Sequence, residues 1–182
     1  MPSSFAGKAA EILDAAELRM RRGGYDAVSF RDLAQDVGIK SASVHYHFPQ
    51  KSDLGRAVVE RYVERVMTAL GPPDNAAETP AMRLDRLSEV YRTAAIQPGL
   101  ICLCCVLGAQ SLELPPPVSA AIGRYFERLL GWVARALEGA PAGAPSAAQA
   151  VAGLQGAMIL AIATGRRELF EETREPLLRT LR

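Results

Sequence analysis

The chain of 182 residues is long enough to bury an apolar core without disulfide bonds or a structural metal. Apolar residues make up 49% of it and charged residues 23%, which is close to ordinary soluble usage and excludes disordered and fibrous classes. Because 21 Lys and Arg oppose 20 Asp and Glu, the net charge of +1 favours no partner. Any nucleic-acid surface must therefore be local.

The three cysteines, Cys102, Cys104 and Cys105, are crowded into one segment. An odd number at this spacing cannot form the disulfide framework of a small secreted protein, which indicates a reducing compartment. The first residues do not follow the basic, apolar, small-residue order of a leader, and no run of about 18 residues is apolar without interruption. We therefore expect a cytoplasmic protein without a membrane segment.

Helical periodicity recurs through the first 70 residues. Apolar residues repeat every three or four positions, Gly23 and Gly38 provide helix ends, and Pro49 disfavours helical geometry at Phe48. The break from Gly71 to Asn75 is the predicted domain boundary. The helices predicted before it run from Phe5 to Met20, from Ser29 to Gly38, from Ser41 to His47 and from Lys51 to Leu70.

The rest of the chain follows the same pattern. Thr79-Pro80 is typical of a helix start, Pro98-Gly99 of a helix end, and the stretch from Leu100 is apolar on nearly every side, as expected of a helix buried within a bundle. No segment alternates apolar and polar residues as a strand would, so the sequence predicts an all-α protein. The predicted helices run from Thr79 to Pro98, Leu100 to Leu112, Val118 to Leu137, Ser146 to Thr164 and Arg167 to Leu181.

The two short helices between Ser29 and His47 have the dimensions of a helix-turn-helix. In that motif the first helix braces the second, whose exposed face enters a major groove about 12 Å wide. Leu33 and Ala34 are expected to pack the brace helix, and Gly38 permits the tight turn. The polar side chains of the second helix are then free to approach base edges or phosphates.

The order of residues from Val28 to Leu54 is more specific than the helix lengths. A Ser cap, a Leu-Ala pair, a Gly turn, a His45-Tyr46-His47-Phe48 ending close to the family's Tyr-x-His-Phe, and Lys51 three residues before Leu54 resemble the N-terminal domain of the TetR family of bacterial transcriptional regulators. The resemblance extends over residues 9–66. It implies an N-terminal three-helix helix-turn-helix domain in residues 1–50, a connecting helix in 51–70 and a helical bundle for effector binding and dimerisation in 71–182.

By this resemblance, Lys51 contacts a DNA phosphate from the start of its helix. The chain departs from the family pattern at His45, where tyrosine is usual, at Lys40, in the usual serine cap of the recognition helix, and at Gln50, which often is serine. His45 is predicted to face DNA and His47 to have a structural role; a metal site is disfavoured because alternate helix residues face apart. The residues expected at the DNA interface are Ser29, Arg31, Lys40, Ser41, Ser43, His45, Tyr46, His47 and Lys51.

Two interpretations of the cysteines remain open. Cys102 and Cys105, three positions apart, are expected on one face of the predicted buried helix, with Cys104 turned away. They either pack as small apolar residues or, as in a thiol-sensing subset of the family, Cys102 near the helix start reacts with an oxidant or electrophile. Side chains that either line an effector pocket or belong to the core are Tyr91, Gln110, Tyr125 and Trp132.

The helix from Ser146 to Thr164 is so apolar that a single protomer would hardly cover it, which predicts a homodimer. The alternative is a core helix buried entirely within one protomer. The expected function is that of a ligand-responsive DNA-binding regulator. More specifically, we expect a repressor that a small-molecule effector releases from double-stranded operator DNA. No cofactor is expected. The alternatives are a helical protein-interaction module without DNA binding, and a Cys-dependent enzyme, which the confinement of both histidines to the helix-turn-helix disfavours.

Overall fold

The computed structural model describes residues 7–182, which contain nine α-helices and no strand. The all-α prediction is confirmed; Phe5 lies outside the described residues. A 3₁₀ turn, Tyr25–Ala27, follows the first helix, and a π-helical turn, Arg92–Ile96, extends the fifth. The helices are α1 (Lys8–Gly23), α2 (Phe30–Val37), α3 (Ser41–His47), α4 (Lys51–Leu70), α5 (Pro80–Tyr91), α6 (Leu103–Gly108), α7 (Pro116–Ala136), α8 (Ala147–Thr164) and α9 (Glu168–Arg179).

Local capping explains where several helices begin and end. The Ser29 hydroxyl accepts a hydrogen bond from the Asp32 N–H at 3.1 Å, and Ser146 forms a reciprocal capping box with Gln149. Gly38 ends α2 in the left-handed conformation, with φ of 67°, which a residue with a Cβ rarely adopts. Lys40 is the N-cap residue of α3 and makes no side-chain cap hydrogen bond, and Ser41 is the first helical residue.

The chain divides into two compact units. The first contains the described residues up to Arg65 together with Leu103–Tyr125; the second contains Val66–Cys102 and Phe126–Arg182. The predicted boundary at Gly71 is a break between α4 and α5, whereas the contacts divide the chain within α4 and within α7. Residues 103–125 thus pack with the N-terminal helices although they lie beyond residue 71.

In the first unit, α1 is the helix around which α2, α3 and α6 pack. Its buried stripe, which includes Ile12, Leu13 and Met20, meets the apolar residues of the other helices, as the periodicity predicts. Arg65 of α4 donates two hydrogen bonds to the buried carboxylate of Glu17, at 2.6 and 2.7 Å. A buried carboxylate needs such a partner, because removal from water disfavours its charge.

The second unit is organised by α8 and α9, which pack along one another, with α5 against α9. Arg92 of the π-helical turn donates to Glu171 of α9 at 2.6 Å, and Arg174 pairs with Asp85 of α5. In the π-helical turn Ala95 and Ile96 are buried, whereas Ala94 is half-buried. Helix α9 includes Pro176 without ending there.

The predicted buried helix from Leu100 to Leu112 is wrong in its extent. Helix α6 contains six residues, and the turns after it leave Leu112 97% exposed. Cys102 precedes the helix, so it does not share a helix face with Cys105. Cys102 and Cys104 are fully buried, whereas Cys105 is half-buried.

Candidate nucleic-acid interface

Helix α3 is fixed to the first unit by its apolar side chains and presents the others to solvent. Val44 is fully buried and Phe48, directly after the helix, is 3% exposed. Since α3 has only seven residues, these two anchors and the Gly38 turn determine its orientation. Its exposed face is the part of the helix-turn-helix that is able to enter a groove.

The aromatic and imidazole side chains of α3 form most of this exposed face. Tyr46 is 83% exposed, and His45 and His47 are exposed as well. The ring of His45 lies edge-on to Phe30 of α2, with 4.5 Å between the ring centroids, and that of His47 is 5.3 Å from Tyr46. His47 is therefore exposed at the end of α3 and is not buried against the brace helix, α2.

The hydroxyl groups and cations predicted for the interface differ in how accessible they are to DNA. Ser29 uses its oxygen as the cap of α2, and Ser41 and Ser43 are half-buried at the start of α3. Arg31 and Lys40 are exposed, as phosphate contacts need to be. Eight of the nine predicted residues therefore lie in the α2–α3 region, and the ninth, Lys51, is the first residue of α4.

Lys51, the first residue of α4, is held by two groups of the 3₁₀ turn. Its ammonium lies 3.3 Å from the carboxylate of Asp26 and 4.4 Å from the centroid of the Tyr25 ring. Burial raises the pKa of the Tyr25 hydroxyl, and the charge of Asp26 acts in the same direction. Asp26 is itself 96% exposed in its side chain, so the ammonium is not sealed from solvent.

The residues proposed from the sequence for an effector pocket are divided between the two units. Tyr91 and Trp132 belong to the second unit, where Gln155 donates to the Tyr91 hydroxyl at 3.1 Å and the Trp132 indole N–H donates to the Gly71 carbonyl at 2.7 Å. Tyr125 and Gln110 belong to the first unit. Tyr125 is fully buried, as a core residue would be.

An open groove of about 610 Å³ lies in the first unit between α1 and α2, and none of the predicted effector residues lines it. The groove is lined by Ala15, Leu18, Arg19, Arg22, Gly23, Ala27 and Asp36.

Residues 7–182 contain no group of three or more His, Cys, Asp or Glu side chains that could hold a metal ion.

Tyr25 and Asp26, the two residues that hold Lys51, were not predicted from the sequence. Tyr25 and Asp26 follow the Gly23-Gly24 helix end, where the pattern indicated only a turn. Gln110 was proposed for an effector pocket, but its Oε1 accepts a hydrogen bond from the Tyr25 N–H at 3.1 Å. These residues are 85 positions apart, and no local pattern signals such a pair.

The burial of the cysteines gives a testable order of reactivity. Because Cys105 is the half-buried thiol, we expect brief treatment of the folded protein with N-ethylmaleimide to modify Cys105 first. Peptide mass spectrometry measures the order, and the Cys105→Ser protein is expected to react slowly. Modification of Cys102 first would instead support the thiol sensor proposed from the sequence.

Comparison with known proteins agrees with this geometry. The sequence model of the family described as "Bacterial regulatory proteins, tetR family" matches residues 12–58, which contain α2, α3 and the start of α4. No functionally curated protein gives a significant sequence match.

Solved structures match nearly the whole chain. A TetR-family transcriptional regulator from Agrobacterium tumefaciens has a TM-score of 0.84 and 31% identity over 96% of this chain and 97% of its own. A TetR transcriptional regulator from Legionella pneumophila has a TM-score of 0.88 and 25% identity over 98% of this chain and 100% of its own. The chain belongs to the TetR family of transcriptional regulators.

Proposed function

We propose that the protein is a homodimeric repressor that binds double-stranded operator DNA and is released from it by a small-molecule effector. The observation that carries the DNA-binding part is the exposed face of α3, with Tyr46 83% exposed on a helix that Val44 and Phe48 anchor. A helix of this kind inserts into the major groove, while cations and hydroxyl groups beside it contact phosphates.

A second observation supports the homodimer. Helix α8 presents an apolar stripe that its own protomer leaves uncovered, including Leu160, 57% exposed, and Ile159, 41% exposed. Its residues are separated by four, three, one and three positions, so they share one face, and its alanines and glycine allow close helix approach. This stripe, which we call the α8 stripe, consists of Ala152, Gly156, Ile159, Leu160 and Ala163.

The same helix is long and apolar enough to cross a membrane by length and composition, with a mean hydropathy of 1.5 and 33% of its residues buried. Its opposite face argues for a protein partner instead. Leu154 and Met158 are fully buried, and Gln155 hydrogen-bonds Tyr91 of α5. A helix already packed in this way, with a narrow stripe exposed, fits a second copy of the chain related by a twofold axis.

For effector release, we propose that a ligand in the second unit moves the end of α4. Trp132 of α7 donates to the carbonyl of Gly71, the residue after α4, and Arg86 of α5 donates to Pro72 at 2.6 Å. A ligand beside Trp132 would disturb these contacts. A shift of α4 would then change the separation of the two α3 helices from the roughly 34–36 Å that half-sites one turn apart require.

The DNA-binding part is tested by Lys51→Ala. Because each ammonium that contacts a phosphate releases about one counterion, we expect weaker binding and a salt slope smaller by about one unit per half-site, about two for the dimer. Fluorescence anisotropy over a salt series measures both, with a 40-bp duplex selected from a random-sequence library by the wild-type protein.

The selection also separates the repressor from the alternative functions. A protein-interaction module or a Cys-dependent enzyme would enrich no duplex. Failure to enrich any sequence, or an unchanged salt slope in the Lys51→Ala protein, would contradict the assignment.

A further inference from the structure

Gln110 packs against the two residues that follow α1, Gly24 and Tyr25. Gln110 lies in the turn after α6, and its side-chain oxygen accepts the Tyr25 N–H at 3.1 Å. Gly24 has φ of 78°, and a Cβ placed on it would clash with the amide of Gln110. The positive φ favours glycine at this position, and a side chain there would displace the glutamine amide.

Tyr25 is held on its other side by α4. Its ring is buried, and a Cβ on Gly55 would lie 2.8 Å from the ring atom Cε2 and 3.0 Å from the Cγ2 of Val118. The ring therefore occupies the space that a side chain at Gly55 would need. Gln110 fixes the backbone of Tyr25 while Gly55 makes room for its ring.

The turn fixed in this way carries the two groups that hold Lys51. The face of the Tyr25 ring lies 4.4 Å from the ammonium, and the Asp26 carboxylate lies 3.3 Å from it. A lysine side chain loses considerable rotamer freedom when it binds a phosphate. A lysine that the turn already restricts loses less of this freedom, which favours a phosphate contact on entropic grounds.

We propose that Gln110 is a positioning residue for DNA binding, which keeps Lys51 in place through Tyr25. This inference rests on the proposed contact of Lys51 with a phosphate. Gln110 itself does not touch DNA in this proposal. Its effect on affinity is transmitted by the Tyr25–Ala27 turn, and it disappears when Lys51 is absent.

The test is a double-mutant cycle between Gln110 and Lys51. Gln110→Met keeps the side-chain length but removes the acceptor, whereas Gln110→Glu keeps an acceptor for the Tyr25 N–H. With the selected 40-bp duplex, we expect Gln110→Met to weaken binding about 2- to 10-fold per half-site, the effect of one hydrogen bond in each protomer, and to lower the salt slope toward that of Lys51→Ala. Gln110→Glu should stay within about twofold of wild type.

The combination decides between positioning and a general structural role. If Gln110 acts through Lys51, Gln110→Met causes no further loss in the Lys51→Ala protein. Losses that multiply in the double variant would overturn the inference, and so would wild-type affinity and salt slope in Gln110→Met. Gln110→Ala serves as the second variant if Gln110→Met has a lowered melting temperature.

The phosphate contact of Lys51 and the positioning role of Gln110 can be disproved separately. Wild-type binding by Lys51→Ala would remove the phosphate contact itself, whatever Gln110 does. A weakened Lys51→Ala protein combined with an independent effect of Gln110→Met would leave the DNA-binding function in place and remove only the positioning role.

Discussion

Leu160→Glu is expected to convert the protein from dimer to monomer. Leu160 is the most exposed large residue of the α8 stripe, so the substitution should leave the fold of the protomer intact. A twofold axis brings the stripe of one protomer against that of its partner, and each substitution therefore acts twice. An unpaired carboxylate buried at the interface costs about 3–5 kcal/mol, which raises the dimer dissociation constant at least about 100-fold.

Light scattering at tens of micromolar measures the change in mass. Leu112→Glu is the matched control, because Leu112 is 97% exposed in the turns after α6 and should keep the dimer unchanged. Ala161→Glu is not a usable test, since Ala161 is 1% exposed and its substitution would disrupt the protomer itself. A monomeric wild-type protein, or a dimeric Leu160→Glu protein, would disprove the role of the α8 stripe.

Tyr46→Ala is expected to weaken operator binding at least about 100-fold. The side chain is 83% exposed, so its removal costs the folded protein little. A hydrogen bond from its hydroxyl to a phosphate would contribute about 1.5–3 kcal/mol per half-site, and a dimer loses two of them. The melting temperature should remain that of wild type.

Anisotropy with the selected duplex measures this loss. Tyr46→Phe removes the hydroxyl alone and should cause most of the same effect, whereas a contact made by the ring would be retained in this variant. Leu112→Ala is the control for an exposed apolar residue distant in sequence from α3. Unchanged affinity in Tyr46→Ala would place the recognition surface elsewhere.

The sequence by itself determined the helices whose signals lie within a few residues. Ser29, Thr79-Pro80 and Ser146 start helices in the structure as predicted, because a cap and the N–H that it accepts are only two or three positions apart. Gly38 ends α2 for an equally local reason, its positive φ. The family resemblance followed from the same short segment, since the helix-turn-helix is nearly contiguous in the chain.

Only the tertiary structure decided which of the candidate residues meet. Apolar periodicity predicted a long helix around the cysteines, yet six residues are helical, and packing buries Cys102 and Cys104 while leaving Cys105 half-buried. Tertiary packing also brings Gln110 to its hydrogen-bond partner Tyr25, which lies 85 residues away in the chain. Caps and apolar periodicity reflect interactions along one helix. Contacts between residues far apart in the chain depend on which helix faces pack together, and the residue spacing within a short segment does not encode this packing.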